Sequence, residues 1–104
     1  MSTPALTEYL IIRDLDEPVS AETFDAVAAE SIEAAAALRE EGVRIRWVTS
    51  DVRTRTDGDI VGTVCHYRAE DEAAIRAHAD RAGLPVTSID IHGATRAHES
   101  HSPR

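Results

Sequence analysis

Thr63-Val64-Cys65-His66-Tyr67-Arg68-Ala69 leads directly into the segment Asp71 to Ala82, which stops at Gly83-Leu84-Pro85. The first piece has the composition and alternation of a strand. The second reads as a helix capped by Asp71, with a narrow apolar stripe of Ala74, Ile75, His78, Ala79 and Ala82. Gly83 suits the left-handed residue that closes a helix, and Pro85 prevents it from continuing. The junction carries the only cysteine of the chain and two of its five histidines.

Upstream, Asp57-Gly58 is a strong turn dipeptide. It folds Ile60 to Arg68 back as a hairpin onto Val43-Arg44-Ile45-Arg46-Trp47. That earlier strand alternates cleanly, with Val43, Ile45 and Trp47 on one face and Arg44 and Arg46 on the other. Before it, Ser20 is a good N-cap and Glu22 faces the positive end of the helix dipole. The helix is expected to run to about Glu41 and end at Gly42, with Phe24, Val27, Ser31, Ala34, Ala35 and Leu38 as its buried stripe. Tyr9-Leu10-Ile11-Ile12 reads as a central strand, broken at Asp14 to Pro18. Val86 to His92 is a final strand with Ile89 and Ile91 on one face. The order β-α-β-β-α-β predicts an α+β, ferredoxin-like sandwich: an antiparallel sheet with two helices on one face. Its other face needs a partner, a ligand or polar side chains. Residues 1–6 are expected to form a flexible lead, 7–92 the domain, and 93–104 a mobile tail carrying His98 and His101.

A chain of 104 residues with four aromatic side chains supports one modest core. Such a core often gains stability by burying a further face in a dimer. The net charge of -8 argues against nucleic acid and anionic membranes, both of which attract basic surfaces, and favours cations. Every basic side chain is arginine, so lysine Schiff-base chemistry is excluded; with the abundant alanine, this has the look of a high-GC bacterial genome. One cysteine forms no internal disulfide, and neither a signal peptide nor a membrane-spanning segment is apparent. A cytoplasmic location is expected.

Several short segments, taken in order and spacing, are familiar: Arg13-Asp14-Leu15, Trp47-Val48 with Ser50, Cys65 with Tyr67 and Ala69, and His78-Ala79 followed by Gly83 and Pro85. Between Glu8 and His92 the chain resembles a family of small bacterial nickel-binding proteins with a ferredoxin-like fold, long treated as a domain of unknown function. The resemblance implies a homodimer, joined through the open sheet face, that binds nickel for sequestration or tolerance. By position it carries over Cys65 and His78 as the chemically capable residues.

Read for themselves, the candidate metal ligands are Cys65, His66 and His78. Thiolate and imidazole suit soft and borderline divalent ions. His78 has no ligand partner at helical spacing, since its neighbours are Ala74, Ile75, Arg81 and Ala82. It is therefore either a ligand completed from the sheet or a hydrogen-bonded core histidine. Cys65 is either a ligand or a small buried hydrophobe. His66 points away from Cys65, because strand neighbours alternate, and belongs to the open face. Glu70, Asp71 and Glu72 cap a helix and are also oxygen donors. His92 runs towards the tail. The reading is a nickel-binding protein without catalysis. Its rival is a dimeric small-molecule-binding or cofactor-free enzyme module, with a cavity lined by Trp47, Tyr67, His78 and Cys65. No phosphate-binding loop, dinucleotide fingerprint, nucleophile elbow or paired zinc motif is present.

Overall fold

A computed structural model describes residues 5–93 of the chain. The expectations for residues 1–4, and for the tail histidines His98 and His101, lie outside the described residues. The elements run β1 (Thr7–Val19), α1 (Ala21–Glu40), β2 (Ile45–Thr54), β3 (Ile60–Ala69), α2 (Glu72–Ala82) and β4 (Ser88–Ile91). Neighbouring strands are antiparallel in the order β2-β3-β1-β4, the α+β ferredoxin-like arrangement.

The helix ends follow from local chemistry. Ser20 caps α1 by accepting from the Thr23 amide, and Asp71 caps α2 by accepting from the Ala74 amide. Gly83 takes the left-handed conformation, and the Leu84 amide reaches back to the Ala79 carbonyl, closing α2 before Pro85. At the far ends of both helices, Arg81 makes a two-pronged ion pair with Glu41. That pair holds the Glu41 carboxyl below its ordinary range and the Arg81 guanidinium above its own. The β2–β3 hairpin turns at Asp57-Gly58, where Gly58 has φ +95° and Asp57 accepts from the Asp59 amide.

Two strands depart from simple alternation. β1 does not break at Asp14 to Pro18 but continues to Val19. Asp14 pairs with Gly62 and Val19 with Ile60, so residues 15–18 are accommodated opposite Val61 alone. This bulge places Pro18 where no ladder bond is needed from its missing N–H. In β2, Trp47 pairs with Tyr67 but Thr49 pairs with His66, leaving Val48 as an extra residue. The bulge resets the phase, so Ser50 and Val52 join Ile45 and Trp47 beneath the helices.

The core lies between sheet and helices. Ile11, Ile45, Ile75 and His78 are fully buried there, beside Tyr9, Leu38, Cys65 and Tyr67. Each buried isoleucine contributes about 1.5–3 kcal/mol relative to exposure. The two halves of α1 differ. Ala34, Ala35 and Leu38 pack down onto the core, whereas Phe24, Val27 and Ala28 are only half-buried.

Candidate metal centre

Glu8, His66 and His92 come from β1, β3 and the residue just after β4. β1 runs between the other two strands and brings them together. His66 is paired with Leu10, two residues along from Glu8, and the His92 amide donates to the Glu8 carbonyl. Residues two apart on a strand share a face, as do residues paired across strands. All three side chains therefore stand on the open face of the sheet, away from the helices.

His66 Nε2 lies 2.6 Å from Glu8 Oε1, and Arg68 Nε lies 3.8 Å from Glu8 Oε2. The His66 and His92 rings are stacked, with centroids 4.8 Å apart and planes 5° from parallel. One donor atom from each of the three residues falls within 4.8 Å of the others, and all three residues are half-buried. Two imidazoles and a carboxylate are donors that suit nickel and its neighbours in the first transition row.

Ligand bonds of about 2.0–2.2 Å are needed, and each imidazole must aim its lone pair, in the ring plane, at the ion. Parallel stacked rings cannot both do so. Loading therefore requires one ring to turn and the proton shared by Glu8 and His66 to leave.

The other two candidate residues lie on the opposite side of the sheet. His78 is wholly buried. Its Nε2 is 3.0 Å from the Ser31 carbonyl oxygen and 3.2 Å from the Ser31 hydroxyl. A carbonyl only accepts, so Nε2 carries a proton and donates it there. Its Nδ1 is buried without a partner among the described residues. Burial is the main cause that pushes its pKa below the ordinary 6.5, the Ser31 carbonyl opposing and the Arg13 charge adding to it. Cys65 Sγ lies 3.1 Å from the Ser50 hydroxyl and 3.2 Å from that of Thr63. The sheet thus separates His66 from Cys65 and His78. Both of those sit near Tyr67, which stacks obliquely on His78 and shares the Ser31 hydroxyl. Glu70 accepts from the Arg44 amide, and Glu72 pairs with Arg76, one helical turn away.

Sequence reasoning left Glu8 and His92 out of the site. Neither is near His66 along the chain. Their signal was positional: the last strand of this fold pairs with the first, so its C-terminal end meets the first strand's beginning.

A family model described as nickel responsive protein SCO4226-like matches residues 9–91. The chain belongs to that family. No curated protein and no solved structure gives a significant match. The family match spans both helices and all of the sheet except Thr7 and Glu8 at the start of β1, so the SCO4226-like domain is the folded unit seen here. His66 lies within it; Glu8 and His92 flank its two ends. No helix among the described residues is long and apolar enough to cross a membrane.

Proposed function

We propose that this SCO4226-like protein binds nickel on its open sheet face through Glu8, His66 and His92. The convergence of two imidazoles and a carboxylate from β1, β3 and the residue just after β4 supports the reading, and the nickel-responsive description of the family agrees with it. Of the ligands expected from sequence, His66 is kept. Cys65 and His78 are engaged with hydroxyl and carbonyl partners beneath the helices. Arg68 orients the second oxygen of Glu8 and moderates the negative charge of the site.

Three protein donors leave coordination positions for water or for groups from a second copy. The site stands on the sheet face that the helices leave uncovered, which suits a homodimer joined there. Sequestration or tolerance in the cytoplasm is the role that fits a small acidic protein with such a site.

Calorimetric titration of the tag-free full chain with nickel tests the reading. Stoichiometric uptake that Glu8→Gln, His66→Ala and His92→Ala each weaken is expected. Absence of uptake, or uptake indifferent to all three replacements, would overturn it.

A further inference from the structure

The helix-covered side of the sheet holds a second feature, chemically unlike the first. Beneath the half-buried N-terminal part of α1 lies a cavity of about 390 Å³. That volume is within the range of small-molecule sites. Trp47, Tyr67 and Cys65 line it, as the rival sequence reading anticipated, while His78 stands behind Ser31 and outside the lining.

The chain has four aromatic side chains, and three of them, Phe24, Trp47 and Tyr67, meet at this cavity. Phe24 and Trp47 belong neither to the buried core nor to the apolar side chains packed against it. Trp47 is half-exposed, and Ile32 and Val52 of the same lining are exposed as well. A core short of aromatic residues has thus left its largest ones at an open cavity, where much of their apolar surface still meets water. The Val48 bulge sets this up. It puts Trp47 and Ser50 on one side of β2, and Trp47 Nε1 donates to the Ser50 hydroxyl at 2.8 Å. The indole N–H is thereby satisfied, and what remains of the ring to offer is π surface.

The polar groups of the wall are engaged with one another. The Ser50 hydroxyl donates to Cys65 Sγ at 3.1 Å, and the Thr63 hydroxyl lies 3.2 Å from the same sulfur. The Tyr67 hydroxyl lies 3.4 Å from that of Ser31, which also meets His78. Arg13 belongs to the wall but is 3% exposed, its Nη1 is bonded to the Pro85 carbonyl, and its Nε and Nη2 have essentially no exposed surface. No lining residue is acidic, so a cation finds no counter-charge. Arg39 and Arg46 are exposed, where water and salt screen what they could offer an anion. A charged group inside the cavity would lose its hydration without replacement. A flat hydrocarbon ring would not, and contacts between rings add to the gain from burial. Residues 94–104 bring no large apolar side chain that could fill the space.

We propose that this cavity binds a small, uncharged, planar aromatic molecule, its ring lodged beneath α1 among Phe24, Trp47 and Tyr67.

The single tryptophan, Trp47, is a built-in reporter at this site. The full chain, free of nickel, is titrated with 2-naphthol in a calorimeter, and with decahydro-2-naphthol as the saturated control. Saturable binding of 2-naphthol is expected, with the saturated alcohol about tenfold weaker because it gains burial without ring contacts. The fluorescence lifetime of Trp47 should shorten as 2-naphthol binds beside it. Ala28→Phe, which fills the cavity, should block both alcohols. Trp47→Leu keeps the apolar bulk and should bring 2-naphthol down towards the saturated control. Its position is half-exposed, so it carries the test should Ala28→Phe fail to fold. His66→Ala, on the opposite face, should leave 2-naphthol binding unchanged. Absence of uptake up to the solubility of 2-naphthol, equal binding of the two alcohols, or binding indifferent to Ala28→Phe and Trp47→Leu would each overturn the proposal. So would self-association of the chain that Ala28→Phe abolishes without any uptake of 2-naphthol by the wild type, which would give the cavity to a second copy.

Discussion

The two faces of one sheet treat the same side-chain types in opposite ways. On the open face, His66 sits against a carboxylate and beside a second imidazole, both half-exposed. On the covered face, His78 is sealed against a serine carbonyl, with its remaining nitrogen unpartnered. The first can exchange a proton for a metal ion. The second is held by the Ser31 carbonyl, and its burial disfavours the charged form. Arginines divide in the same manner: Arg68 leans on Glu8 in the open, while Arg13 is buried without an acid. A residue's chemical identity therefore says less about its role than the face on which alternation places it.

The sharpest way to break this contrast is through metal affinity. His66→Ala combined with His92→Ala should weaken nickel binding at least about a hundredfold, because even supporting residues of metal sites are worth ten- to a hundredfold. His78→Gln should leave it nearly unchanged. Calorimetry on both variants decides this, and the reverse pattern would move the site to the covered face.

Next in size is Gly62→Ala. A Cβ there would lie 2.5 Å from the Arg13 carbonyl oxygen and would also strike the Arg53 side chain, which pairs with Asp14. The strand must shift at Arg13, at a cost of about 1–3 kcal/mol in chemical denaturation. The displacement falls on the cavity wall and leaves the Glu8 end of the strand untouched, so nickel affinity should survive.

The third test concerns acid. The folded-state pKa of His78 lies below 6.5, so the unfolded chain takes up its proton first as pH falls. The stability contributed by the neutral ring is fully present above about 6.5 and declines as pH drops below it. His78→Gln should cost about 1 kcal/mol at pH 8 through the altered bond to Ser31. The difference from wild type should narrow as pH is lowered towards 5. Melting curves across that range check the sign, and a difference that grows in acid would contradict it.

The smallest effect belongs to neither face. Glu41→Gln, at the exposed helix ends, should lower the melting temperature slightly, and added salt should remove the difference.

Much of the fold was legible in the chain because its signals are local. Ser20, Asp71, Gly83 and Asp57-Gly58 act within a few residues of themselves, and the hydrophobic periods distinguish strand from helix. The bulges were not legible. Pro18 looks like a strand breaker until residues 15–18 are seen to bulge opposite Val61. Val48 carries no mark of its own, yet it decides which half of β2 faces the cavity. The candidate site was half legible. His66 could be placed on the open face by counting from Cys65. Glu8 and His92 could not, since their approach depends on which strands are neighbours, a long-range fact. The unpartnered state of Arg13 depends on three-dimensional packing and leaves no trace in composition.

The extra residue at Val48 has one more implication. β2 forms a border of the sheet, and its outer amides and carbonyls would otherwise offer a regular template for a strand from another molecule. A kink in the middle of that border interrupts the template, and β4 at the opposite border spans only Ser88–Ile91. Lateral growth into fibrils or ribbons is discouraged on both sides, so copies of this chain that meet at high concentration should remain discrete particles.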